Sequence, residues 1–243
     1  MLEKRNDGRN FNEIRKIEAK VGIIKRANGS AMFKIGETIA IAAVYGPREL
    51  YPSAFQNPER GKLRCNYNMM AFSGSGNRVK PGPSRRSKEI SMVTEKALLP
   101  VLDLSAYGGA VVDVFIELIQ TDAGTRCAGI TAAAMALADA GIPMKDLISS
   151  VAAGVIKGTV VLVLNKEEED LEATDIATAF STRTGKITLL QMDGSVNPKD
   201  LKKILELAKK GCEEIKKLQI KALKEKYVGD AKWILLLNIF YIG

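Results

Sequence analysis

The chain has 243 residues, 46% hydrophobic and 26% charged, enough length to bury a sizeable core and the composition of a globular protein. It contains no histidine, which excludes Ser-His-Asp and Cys-His catalysis, histidine-ligated zinc and HExxH-type metalloprotease chemistry together. Lys and Arg number 36 against 28 Asp and Glu, a formal charge of +8, and that balance favours an anionic partner, nucleic acid first.

The N-terminus, MLEKRNDGRN, is too charged for a secretory signal. Asp7-Gly8-Arg9 has good turn chemistry, which gives Asp7 and Arg9 a structural role. Residues 17–46 read as three strands, IEAKVGII, SAMFKIG and TIAIAAVYG, joined closely enough to form an antiparallel meander punctuated by Gly29 and Gly36. From Arg60 to Lys88 there are eight Lys or Arg and no acid; a strand from Leu63 to Met70 is followed by a Gly/Ser loop and a helix from about Pro83. Tyr67 and Phe72 could stack on bases, although strand spacing favours the core for both. Ile90, Val93, Ala97 and Leu98 give that helix one apolar face.

Ala110–Gln120 is rich in β-branched and aromatic residues and reads as a central strand. Thr125–Ala140 is an Ala-rich helix, stopped by Gly141 with Pro143 beyond. The second half starts again with strands: SSVAAGVIKG with TVVLVLN as one hairpin, and ATDIATAF with KITLLQMDG as another. Leu201–Tyr227 is a long closing helix with Leu201, Ile204, Ala208, Ile215, Leu218 and Ala222 on one face. The expected class is α+β, two sheet layers against helices. Cys65, Cys127 and Cys212 are odd in number and widely spaced, so a reducing, cytoplasmic compartment is expected without a disulfide framework. The apolar tail Trp233–Ile242 is far below the ~20 residues of a spanning helix, and no membrane partner is expected.

Four places could carry chemistry. Gly124-Thr125-Arg126 follows a strand and opens a helix, where free N–H groups and a guanidinium make an anion site; a plain Gly turn with a surface Arg is the alternative. Arg85-Arg86 stand in a first helical turn, opposing the macrodipole unless a phosphate is bound there. The acid-free run around them suggests nucleic acid, against a solvated basic turn. In the acidic run after TVVLVLN, Glu167 and Glu168 read as solvated loop. Asp175 instead shares a strand face with Ala173, Ala177 and Ala179, which leaves room for a ligand or a hard cation; an edge-strand charge is the alternative. Asp193 reads as a turn residue.

Together, DGRNFNEIR (Asp7–Arg15), KPGPSRRSKEIS (Lys80–Ser91), QTDAGTRCAGITAAAMALADAGIPM (Gln120–Met144) and ATDIATAF with KITLLQMDG (Ala173–Gly194) resemble the RNase PH family in order and spacing, and within it the catalytic subunits of archaeal exosomes. The resemblance implies a phosphorolytic 3′→5′ exoribonuclease that degrades single-stranded RNA with inorganic phosphate as co-substrate. In reverse it would add heteropolymeric tails from nucleoside diphosphates. It implies two related β-rich halves packed with helices, in a hexameric ring with a paralogous inactive subunit and RNA-binding cap subunits. By the same resemblance, residues 1–144 form a first domain binding RNA and phosphate and 147–228 a second with the acidic loop, leaving 229–243 as an unassigned apolar tail. Gly124, Thr125 and Arg126 fall at the phosphate site, and Arg85, Arg86 and Arg64 at the RNA site. Asp175 and Asp170 fall at the catalytic acid positions, where they would also hold Mg²⁺. Glu169 is the alternative to Asp170, because the family's acid lies six residues before Asp175. Ser53 stands where the family often has a basic RNA contact. A free tRNA-trimming RNase PH, a non-catalytic ring subunit and a structural RNA-binding protein are the competing readings.

Overall fold

The computed structural model describes residues 4–76, 79–171 and 173–240, with side chains through Tyr227. Strands β1 (Ile17–Val21), β2 (Gly29–Ile35) and β3 (Thr38–Glu49) form the expected antiparallel meander. The first strand stops at Val21 because Gly22 turns the chain at φ +70°, a conformation glycine adopts at little cost. Strand β5 (Ala110–Gln120) pairs antiparallel with β3, and β4 (Lys62–Met69) joins its far side in parallel, giving the order β1-β2-β3-β5-β4.

A parallel pair needs a long crossover, and helix α1 (Arg85–Leu98) lies in it. The helix also covers the β4 edge. Glu95 accepts the Cys65 N–H at 2.8 Å and the Ser91 hydroxyl accepts the Tyr67 N–H at 2.9 Å, occupying donors that an open edge leaves free to pair with another chain.

The second sheet has the order β7-β6-β8-β9, all antiparallel, from β6 (Ile148–Ile156), β7 (Thr159–Leu162), β8 (Thr174–Ser181) and β9 (Lys186–Asp193). Helix α2 (Thr125–Asp139) packs against β2 and β3 of the first sheet and β6 of the second, and nearly every residue in it is buried. Its run of alanines lets two sheets close on one helix. The approach is tight: a Cβ on Gly29 would lie 2.2 Å from the Ala140 backbone nitrogen. One apolar core therefore runs through both sheets, from Phe33 and Ile116 across Met135 to Ile148 and Ile215.

Helix α4 (Pro198–Phe240) lies across the second sheet and reaches β1. It begins earlier than the apolar periodicity suggests and its backbone continues past Tyr227. Of the tail, the backbone of 229–240 is helical, and 241–243 lie outside the described residues. No helix among the described residues is long and apolar enough to cross a membrane. All three cysteines are buried and unpaired.

The acidic run departs from expectation. Residues Lys166–Glu169 form a one-turn helix, α3, and Glu168 is not solvated but 1% exposed. Both its carboxylate oxygens accept from the Arg5 guanidinium, at 2.8 and 2.6 Å. The partner lies 163 residues away in sequence, so no local pattern announces the pair. Breaking such a buried pair on one side costs about 3–5 kcal/mol.

Candidate active site

A cavity of about 490 Å³ opens where the two sheets meet the N-terminus of α2. Residues 123 and 124 both take left-handed backbone, at φ 58° and 61°, and the chain passes directly from them into the helix. The α2 N-terminus has no cap from its own N-cap residue and no acid in its first turn; the Gly124 backbone already favours the Glu169 carboxylate, and the N–H groups beyond it and the positive helix end are available to an anion. Gly124, Thr125 and Arg126 all line the cavity, and Arg86 from the start of α1 does so too.

Opposite stands an acidic wall: Glu169 and Asp170 from α3, Asp175 from β8 and Asp193 from β9. Asp175 and Asp193 are directly paired across the β8–β9 ladder. Strand β8 is flanked by β6 and β9, so Asp175 is not an edge-strand charge. Its small neighbours Ala173 and Ala177 line the cavity beside it, as strand alternation requires.

Two of the residues that line the cavity carry buried polar atoms without a partner. The Arg126 Nε and the Asp175 Oδ1 are buried and have no hydrogen-bond partner. Orphaned buried polar atoms cost about 1–3 kcal/mol each, and here a donor and an acceptor belong to two residues that line one cavity. Burial pushes the Asp175 carboxyl above its ordinary pKa; the Arg126 charge opposes the rise, Asp193 adds to it and Arg86 opposes it. Glu169 is raised as well, by burial first and by the Asp175 charge next, with Lys166 opposing. Burial also lifts the Cys127 thiol, which lines the cavity, to about 12, so it stays a thiol and contributes packing.

The sequence-derived candidates separate on this geometry. Gly124, Thr125, Arg126, Arg86, Asp170 and Asp175 share the cavity, whereas Arg85 and Arg64 do not line it. Arg64 instead binds Asp113, a fully buried residue that also holds Arg48. Burial pushes Asp113 up, but hydrogen bonds from the Arg64 and Arg48 guanidiniums prevail and hold it below its ordinary pKa. Of the two adjacent acids, Asp170 pairs with Lys166 one turn back and its side chain is 63% exposed; Glu169 is the one that senses Asp175. Tyr67 is buried and Phe72 is 74% exposed.

Sequence reasoning took Asp193 for a turn residue and passed over Lys166 and the Gly74–Gly76 loop, all of which line the cavity. A plain count back from the β8–β9 turn puts Met192 opposite Asp175; an irregularity between Ala179 and Phe180 shifts the register so that Asp193 takes that place. Among the described residues no cluster of three or more His, Cys, Asp or Glu can hold a metal. The unpartnered Asp175 oxygen with Glu169 nearby nonetheless suits a hard cation that takes its remaining ligands from water and substrate phosphate, as Mg²⁺ does.

Known proteins resemble this chain over most of its length. Residues 13–143 match the 3′ exoribonuclease family, domain 1, and residues 146–211 match domain 2 of the same family. The exosome complex component Rrp41 of Methanopyrus kandleri is 49% identical over 226 residues, covering 93% of this chain and 94% of that protein. Rrp41 of Pyrococcus abyssi is 51% identical over 229 residues, covering 94% and 92%. Among solved structures, rice Rrp46 superposes with a TM-score of 0.80 at 26% identity, over 90% of this chain and all of that one. An Archaeoglobus fulgidus exosome with RNA bound to the active site shares the fold, with a TM-score of 0.75 at 24% identity over 88% of this chain and 92% of that one.

Proposed function

The chain belongs to the RNase PH family of 3′ exoribonucleases, and from that membership we propose that it is the catalytic subunit of an archaeal-type exosome. The reaction is phosphorolysis from the RNA 3′ end. An oxygen of inorganic phosphate attacks the terminal phosphodiester phosphorus. The bond to the 3′-oxygen of the preceding nucleotide breaks, a nucleoside diphosphate departs, and the shortened chain's 3′-oxygen takes up a proton. In reverse, nucleoside diphosphates extend the RNA and release phosphate.

The single observation that carries this reading is the unpartnered pair, Arg126 Nε and Asp175 Oδ1, in one cavity at an uncapped helix N-terminus. The N–H groups at Gly124 and Thr125, with the Arg126 guanidinium, hold the attacking phosphate and stabilise the charge that builds on the transferring group. Arg86 faces the same cavity and draws in the terminal phosphodiester. Arg85, outside the cavity, and Arg64, at Asp113, grip the RNA strand further back. Asp175, with its raised pKa, is suited to hold the proton that the leaving 3′-oxygen needs. Glu169 takes the second acidic role in preference to Asp170, whose charge is already paired with Lys166. Magnesium, where bound, would be held by the ionised carboxylates of Asp175 and Glu169, in place of the Asp175 proton, and would neutralise phosphate charge.

In this reading residues 1–144 supply RNA and phosphate binding and 147–228 the acidic pair, within a hexameric ring completed by a paralogous inactive subunit under RNA-binding caps. The compartment is the cytoplasm. The test is degradation of 5′-labelled single-stranded RNA by the assembled ring. Shortening from the 3′ end that requires added phosphate is expected; tight binding without shortening would overturn the catalytic assignment.

A further inference from the structure

The N-terminal segment, residues 5–15, makes none of the contacts described for the cavity, yet its arginines converge on the connection that carries Glu169. Arg5, its side chain fully buried, donates to both carboxylate oxygens of Glu168 and to the Leu162 and Val163 carbonyls, at 2.6 to 2.8 Å. Arg9 donates to the same Val163 carbonyl at 3.2 Å. Arg15 donates to the Leu164 carbonyl at 3.3 Å and ion-pairs with Asp122. Asp122 in turn accepts the Lys166 N–H at 3.0 Å, at the first residue of α3.

The segment they seize cannot hold itself. Val163 sits at φ +53°, a genuine outlier for a β-branched residue, and such strain persists only where the surroundings over-determine it. Helix α3 is a single turn of four residues, far too short to be stable alone. Its capping box uses Glu168, which accepts the Asn165 N–H through the same Oε2 that Arg5 grips. Arg5 is thus bonded to the strained residue and to the cap in one contact set, and Glu169 is the next residue along.

We propose that Arg5 is a positioning residue for phosphorolysis: through Val163 and Glu168 it holds α3 so that the Glu169 carboxylate faces Asp175. The N-terminal segment is then a strap across the back of the acidic wall. Loss of the strap lets α3 relax and Glu169 drift from the reacting phosphate. A misplacement of about 1 Å can cost about 10²-fold in rate. This inference rests on the reading of Glu169 as a catalytic acid.

The test compares Arg5→Met, the double variant Arg5→Met/Glu168→Met and Glu169→Gln, each in the full-length chain assembled in its ring. Phosphorolysis is followed in a single turnover with enzyme in excess. The double variant removes both buried charges together, which proteins often tolerate without loss of fold. Expected is a rate constant reduced about 10- to 10²-fold at full reaction amplitude, with RNA affinity and the phosphate dependence unchanged. A purely structural role would lower the amplitude, the fraction of competent enzyme, and leave the rate constant of the remainder intact. In the double variant, wild-type rate with Glu169→Gln impaired overturns the strap alone. Wild-type rate for Glu169→Gln overturns both the strap and the assignment of Glu169 beneath it.

Discussion

Asp175→Asn keeps the side chain's shape and removes its charge, so it separates the needs of folding from those of catalysis. Burial raises the Asp175 pKa most, Arg126 opposes, Asp193 adds to the rise and Arg86 opposes again. A carboxyl whose pKa is raised on folding binds its proton more tightly in the folded state. Its ionisation therefore costs stability as pH rises above the unfolded value, and the full cost is present once pH passes the folded pKa. At about pH 7.5 the Asn variant should be more stable than wild type by about 0.5–2 kcal/mol, the usual gain from relieving a functional site. For a domain of this length that is about 2–4 °C in Tm per kcal/mol. The gain should shrink as pH falls below the raised folded pKa and be gone below the ordinary carboxylate value near 4. Phosphorolysis should drop about 10²–10⁴-fold, the range of a lost acid–base group, with RNA binding nearly unchanged. Paired melts at the two pH values and single-turnover assays check this. A lower Tm at neutral pH, or wild-type turnover, would refute the reasoning.

Glu169→Gln should slow phosphorolysis by at least about 10²-fold and Asp170→Asn by less than tenfold, measured side by side as single-turnover rates; the reverse order would return the second acid to Asp170. Arg126→Ala should act mainly through phosphate, raising its KM by about 10- to 10²-fold, the worth of one or two charge-assisted hydrogen bonds, while RNA affinity measured without phosphate holds. Gly154→Ala should destabilise the second sheet by about 1–3 kcal/mol, because its Cβ would fall 1.9 Å from the Thr174 carbonyl oxygen; a denaturant melt with an unchanged midpoint would contradict the close β6–β8 packing.

Elements whose signals are local were legible from the residues. Strand β5 runs from Ala110 to Gln120 as its β-branched density suggests, and α2 opens at Thr125 behind Gly124. The small residues around Asp175 pointed to open space, and the cavity lies there. What escaped depends on partners distant in sequence. Glu168 looked like one more solvated acid because Arg5 is brought to it only by the finished fold. Asp193 looked like turn chemistry because its importance comes from the register that sets it opposite Asp175. The preference for Glu169 over Asp170 rests on pairing, because both line the cavity but Asp170 is bound to Lys166, and one residue of spacing gives no sign of that. Val163, apolar and within a strand-like run, gave no warning that the chain would leave the sheet there.

The most direct test of the central claim follows the phosphate itself. The assembled ring is given unlabelled single-stranded RNA and isotopically labelled inorganic phosphate, and the nucleotide products are separated. Label in the β-phosphate of released nucleoside diphosphates is the predicted result, because the proposed reaction makes phosphate, bound at Gly124, Thr125 and Arg126, the nucleophile. Unlabelled nucleoside monophosphates would mean that water attacks instead, and the site at the start of α2 would have to be assigned another ligand.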